Sequence, residues 1–113
     1  MRLIEKEMNI AIKGGTDFFK SNTSVETYTT EAGKKESCVK LHGNHIATVG
    51  ETFVTIYDGG WQTPTTKSRL NAIINEFCNA YTDGVFQKNW EWFINTADGV
   101  VDFVNGFTFG EKK

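Results

Sequence analysis

Cys38-Val39-Lys40-Leu41-His42-Gly43-Asn44-His45-Ile46-Ala47-Thr48-Val49 is the stretch that decides the fold. Its period is two: Val39 and Leu41 fall on one side of an extended chain, and Cys38, Lys40 and His42 on the other. Gly43-Asn44 is a two-residue signal for a type I′ or II′ turn, so the strand folds back on itself as residues 45–49. On the upstream side, residues 25–30 are β-branched and aromatic, and Ala32-Gly33-Lys34-Lys35 reads as the turn before the hairpin. Downstream, Gly50-Glu51 turns into another strand over residues 52–57. The centre of the chain is therefore a meander of about four antiparallel strands.

Both flanks of the meander have helical periodicity. Ile4, Met8, Ala11 and Ile12 predict a helix over residues 2–13, stopped by Gly14-Gly15. Residues 16–22 read as irregular, with Phe18 and Phe19 anchored in the core. After Asp58-Gly59-Gly60, the stripe Leu70, Ile73, Ile74, Phe77 and Tyr81 predicts a second helix. Thr65 or Thr66 is its expected N-cap, with Pro64 just before, and Thr82-Asp83-Gly84 its end. Strands then recur over residues 85–88, 90–94, 100–104 and 107–109, followed by a frayed tail over 110–113. The expected class is α+β: an antiparallel sheet of several hairpins with two helices packed on one face, in a single domain over residues 1–113.

Composition narrows the function classes. The chain has 113 residues, 12 basic and 14 acidic, for a net charge of −2, which is no electrostatic footprint for generic nucleic-acid binding. No apolar run approaches the ~18–20 residues of a membrane span. Glu5, Lys6 and Glu7 interrupt any secretory leader, so a soluble intracellular protein is expected. Two cysteines give no disulfide framework. Cys38, His42 and His45 are the one cluster of metal-ligand types, but Cys38 and the two histidines lack a placed fourth ligand, and a polar pair beside a turn explains them better than zinc. No nucleophile elbow or framed carboxylate pair is present, so no catalytic residue, metal or cofactor is assigned and the chain is read as a non-enzyme.

Two features point to binding. Thr65-Thr66-Lys67-Ser68-Arg69 puts Lys67 and Arg69 in the first turn of a helix, where the dipole disfavours cations. An anion docked on Thr65, Thr66, Lys67 and Arg69 would remove the mismatch, as would nearby carboxylates. The second is aromatic: Trp90, Trp92 and Ile94 share one face of a strand with Phe93 on the other, and Trp61 adds to the aromatic area. From Leu70 to Gly110 Lys88 is the one basic residue, against Glu76, Asp83, Glu91, Asp98 and Asp102. An acidic, aromatic half suits a protein partner that is basic, contacted through Trp61, Trp90, Glu91, Trp92 and Asp98.

The runs 41–47 (LHGNHIA) and 60–72 (GWQTPTTKSRLNA), with the opening MRLIEKEM and Val85-Phe86-Gln87-Lys88, resemble a group of small accessory proteins of tailed bacteriophages. That resemblance implies action in the host bacterial cytoplasm and supplies no catalytic residues. By analogy with such proteins, the expected role is to bind and inhibit or redirect a host protein complex, such as a CRISPR or restriction effector or RNA polymerase. The alternative is a small nucleic-acid-binding module using the start of the second helix.

Overall fold

The computed structural model describes residues 2–110, so the expected frayed end beyond Gly110 lies outside the described residues. Helix α1 (Leu3–Gly14) buries Met8, Ala11 and Ile12. It ends where Gly15 takes the left-handed conformation at φ 68°, its N–H returning to the Ile12 carbonyl. The meander follows as β1 (Phe18–Lys20), β2 (Thr23–Thr29), β3 (Lys35–Leu41), β4 (Asn44–Val49) and β5 (Val54–Ile56), each antiparallel to the next. Val25, Val39, Leu41, Val49, Val54 and Ile56 alternate into the core.

Three local expectations need correction here. The stretch 16–22 is not irregular throughout, because residues 18–20 pair with β2 as an edge strand. Alternation then sends Phe18 to the core and Phe19 outward, 80% exposed. The β3–β4 turn is made by His42 and Gly43, at φ 53° and 79°, one residue earlier than Gly43-Asn44. A register irregularity after Val39 restores the phase: Val39 pairs with Ala47 and Lys40 with His45. Ile46 is left between them, so Ile46 and Ala47 are buried in succession.

Helix α2 (Pro64–Phe77) is capped by Thr63, not by Thr65 or Thr66: Thr63 Oγ1 accepts the Thr66 N–H at 3.1 Å. Pro64 supplies no N–H, which suits the first helical position, where no partner exists for one. The helix stops at Cys78 because Asn79 draws the backbone into a turn, accepting the Tyr81 N–H on its side chain and the Asp83 N–H on its carbonyl. Tyr81 is therefore off the helical stripe and 98% exposed.

The second strand set forms its own sheet, β6 (Gly84–Lys88), β7 (Glu91–Thr96) and β8 (Gly99–Asp102), in the order β6-β7-β8. The last strand, β9 (Phe107–Phe109), leaves that sheet and pairs with β5, completing a six-stranded order β1-β2-β3-β4-β5-β9. Thr55 and Thr108 share a hydroxyl hydrogen bond of 2.8 Å across this closing pair. Helix α1 lies against β1 and β2, and α2 against β4, β5 and β6. One core joins everything, running from Met8 and Val39 through Leu70 and Ile73 to Val85, Trp92 and Ile94. The α+β class holds, with two antiparallel sheets in place of one.

Polar ties fix the helices. Arg69 of α2 is buried and meets Glu5 of α1 at 2.7 Å; both side chains are under 5% exposed. Its Nε donates to Thr23 Oγ1 at 3.0 Å and its Nη2 to Asn22 Oδ1 at 3.3 Å, while Ser68 donates its hydroxyl proton to Glu5. Replacing Arg69 alone by Met leaves the Glu5 carboxylate buried without its cation and costs about 3–5 kcal/mol. Urea denaturation should read this as a large drop in midpoint, and the pair Glu5→Leu with Arg69→Met should recover most of it.

Candidate functional site

The small sheet presents two unlike faces. Val85, Trp92 and Ile94 point into the core, and Trp92 packs edge-on against Phe103 at 5.3 Å. On the opposite face Phe86 and Phe93, opposed in the β6–β7 register, stack at 5.5 Å and 27° and are half-buried. Val100, on the adjacent strand β8, shares this face and is 56% exposed. Glu91 and Asp102 share this outer face by alternation, and Asp98 sits in the β7–β8 turn; all three are exposed.

Trp90 stands at the end of this face. It forms the β6–β7 turn with Asn89, at φ 69° and 53°, and is 90% exposed. A two-residue turn with both φ values positive favours Asn and Gly. A bulky aromatic in that region is an outlier, and one left in water gains nothing for the core. Neither turn chemistry nor packing accounts for tryptophan at this position.

The residues expected to contact a partner are thus dispersed. Trp90 and Glu91 lie at one end of β7 and Asp98 at the other, ~20 Å away at the rise of an extended strand. Trp92 is 4% exposed and belongs to the core, since strand alternation begins at Glu91 and leaves Trp90 in the turn. Trp61, 72% exposed, is on the loop before α2. There it helps line a cleft of about 360 Å³ with Leu41, His42, Asn44, Asp58 and Thr65. The 42–43 turn and the 58–63 loop meet at this cleft because Gly59, at φ 70°, lets the backbone come within a Cβ's reach of Ile46.

The expected anion site at the start of α2 does not assemble. Arg69 is turned inward on Glu5, and Thr66 is buried with its hydroxyl 2.9 Å from that of Thr63. Thr65 and Lys67 remain at the surface, both half-buried. The misplaced cation is answered by a carboxylate reaching over from α1, a long-range partner that local spacing does not reveal. Cys38, His42 and His45 are also separated in role. The His45 Nε2 hydrogen-bonds Thr48 and the Ala47 carbonyl, its ring packs at a tilt of 37° against Tyr57 with centroids 4.5 Å apart, and His42 is in the turn. Among the described residues no three His, Cys, Asp or Glu side chains converge as metal ligands.

Sequence reading missed Asn71, whose side chain pairs with both backbone groups of Val85 at 2.8 Å and docks β6 onto α2. It also missed the Phe86–Phe93 pair, although Phe86 falls out of phase with Val85 and Phe93 out of phase with Ile94, which is a legible signal.

Residues 1–110 match the model of the family described as Kyanoviridae Gp96 protein. The chain belongs to that family. It is a phage protein, as its resemblance implied, and the match assigns no activity. No curated protein and no solved structure matches it. Among the described residues no helix of this family member is long and apolar enough to cross a membrane.

Both thiols are held away from the reactive thiolate. Burial, with Asp83 adding to it, pushes the Cys78 thiol up to about 12, and burial also raises Cys38. A thiol raised to about 12 is almost wholly protonated at pH 8, so Cys78 should resist iodoacetamide in the native protein and react readily once urea unfolds it. Mass spectrometry of the alkylated peptides reads the difference, and native modification of Cys78 at pH 8 would contradict it.

Proposed function

We propose that this phage protein is a non-catalytic binding protein that acts in the host cytoplasm by docking on a host protein complex and inhibiting or redirecting it. The observation that carries this reading is Trp90, 90% exposed in a turn conformation that disfavours it, at the end of an aromatic face rimmed by Glu91, Asp98 and Asp102. Exposed aromatic residues ringed by polar groups are the usual anchors of protein interfaces. The acidic rim favours a basic partner surface and sets its orientation. Defence effectors and RNA polymerase are the host complexes of interest, and an anti-CRISPR role is one form this function would take. Phosphate contact through α2 is the weaker reading, because it keeps Lys67 and Thr65 but loses Arg69 and Thr66 to the interior.

Affinity capture of the tagged protein from host lysate, with and without nuclease, tests the proposal. A stoichiometric host protein should survive nuclease treatment. Trp90→Ala should weaken its retention by about 2 kcal/mol or more, as an interface anchor does. Joint reversal of Glu91 and Asp98 to Lys should slow association and reduce its salt dependence. Recovery of nucleic acid alone would refute the proposal.

A further inference from the structure

The small sheet has two edges, and one of them is closed. On β6 the Asn71 side chain donates to the Val85 carbonyl and accepts the Val85 N–H, each at 2.8 Å, standing where a neighbouring strand would. On the other side β8 has no neighbouring strand among the described residues, and all four of its own residues are exposed. Edge strands are ordinarily guarded by shortness, by charge (lysine above all), by proline, by a bulge or by a covering element, and of these β8 shows its four-residue length and Asp102. Here the strand reads Gly99-Val100-Val101-Asp102, pairs with β7 in unbroken register, and leaves Val100 56% and Val101 43% exposed.

The free backbone groups follow from the ladder. Phe103 donates its N–H to the Trp92 carbonyl at 3.2 Å, so alternation aims Gly99 and Val101 at β7 and directs the N–H and C=O of Val100 and Asp102 outward. The side chains of Val100 and Asp102 lie on the Phe86–Phe93 face, beside Glu91. Lys88, the one cation of this sheet, is itself opposite Glu91.

The geometry points to β8 as the docking edge for an extended segment of a partner protein that carries a lysine or arginine two positions from an apolar residue, both on one face, and adds as a fourth strand. The inference rests on the reading of the chain as a protein-binding module. A basic residue of the incoming strand would face Asp102, and an apolar one two positions along would cover Val100. A second copy fits poorly: an antiparallel β8–β8 pair centred on Val101 would gather Asp98 and Asp102 of both chains with no cation among them.

The test uses the full-length protein and two synthetic peptides, one repeating lysine-threonine-valine-threonine and the other glutamate-threonine-valine-threonine, so that a charged residue and a valine two positions apart share one face. Fluorescence anisotropy should show the lysine peptide binding at least ~10-fold more tightly than the glutamate one. Amide NMR shifts should centre on Val100 and Asp102. Val100→Pro removes an outward N–H but no ladder bond, so it should keep the near-ultraviolet circular dichroism and lose at least ~10-fold in affinity. Asp102→Lys should reverse the peptide preference. Equal binding of the two peptides, or undiminished binding by Val100→Pro, would overturn the inference. So would a wild-type dimer in sedimentation that Val100→Pro dissolves, which gives the edge to a second copy. Host-protein capture that survives Val100→Pro but not Trp90→Ala refutes the edge and keeps the broader reading. Tight, Val100→Pro-sensitive peptide binding without any host capture keeps the edge and refutes the host-complex reading.

Discussion

The Arg69–Glu5 contact is the constraint on which the arrangement of the chain depends. It bridges residues 64 apart, and through Asn22 and Thr23 it also grips the start of β2. Two ions of this kind cannot be buried independently, because each would carry a desolvation cost of several kcal/mol. They enter the interior together, which ties the angle of α2 to that of α1. The same packing brings Asn9 of α1 within 3.0 Å of the Ala72 carbonyl, a second cross-link between the helices. Among the described residues the four other ion pairs are exposed lysine–carboxylate contacts, each worth about 0–1 kcal/mol at most.

From that fixed helix pair, the placement of the small sheet follows. Arg69 sets the depth of α2, and one helical half-turn later Asn71 projects toward β6 and satisfies Val85. Val85, Trp92 and Ile94 are then held against the same core as the large sheet. The chain returns through β9 to close on β5, which ties the C-terminal half back to the meander. Two of the four sheet edges are thus drawn against neighbouring helices or their ion pairs: β6 by Asn71, and β1 beside α1, where Lys20 reaches Glu7 at 2.8 Å. Among the described residues edge β8 receives no such attachment.

Local rules carried the parts of the fold that local chemistry controls. The alternation of Val39 and Leu41, the stripe from Leu70 to Phe77 and the glycine stop of α1 are legible because each residue's burial is set by its own phase in a regular element. Misreadings arise where a long-range partner or a competing local bond wins. Arg69 reads as an exposed cation until Glu5 is brought beside it from the other helix. Tyr81 continues the stripe in sequence, but Asn79 ends the helix first. The hairpin turn slips by one residue because the irregularity at Ile46 absorbs the difference, and a two-residue turn signal has no knowledge of a bulge further along. Trp90 and Trp92 look equivalent at spacing two, and their fates diverge because the turn ends at Trp90. Of the candidate site, the acidic bias was legible, but which tryptophan lies in the open and which strand lies outermost were not, since both follow from topology.

The division between the halves has an energetic side. A tryptophan carries ~150–250 Å² of surface, and at ~25 cal/mol per Å² its burial is worth several kcal/mol. Trp92 spends that area on the core, against Phe103. Trp90 and Trp61 leave most of theirs in water, together with Val100, Val101 and Val104. A chain of 113 residues has little apolar area to spare, since a domain of this size buries only about two-thirds of its unfolded surface. Withholding two of its three tryptophans from the interior is a cost to folding that surface solubility does not offset, because solubility is served by charge. That area contributes free energy only when something covers it. The acidic residues around it cannot supply the cover themselves, and they repel a second copy of the same surface. On the proposed reading, the cover that would satisfy both constraints is apolar and positively charged.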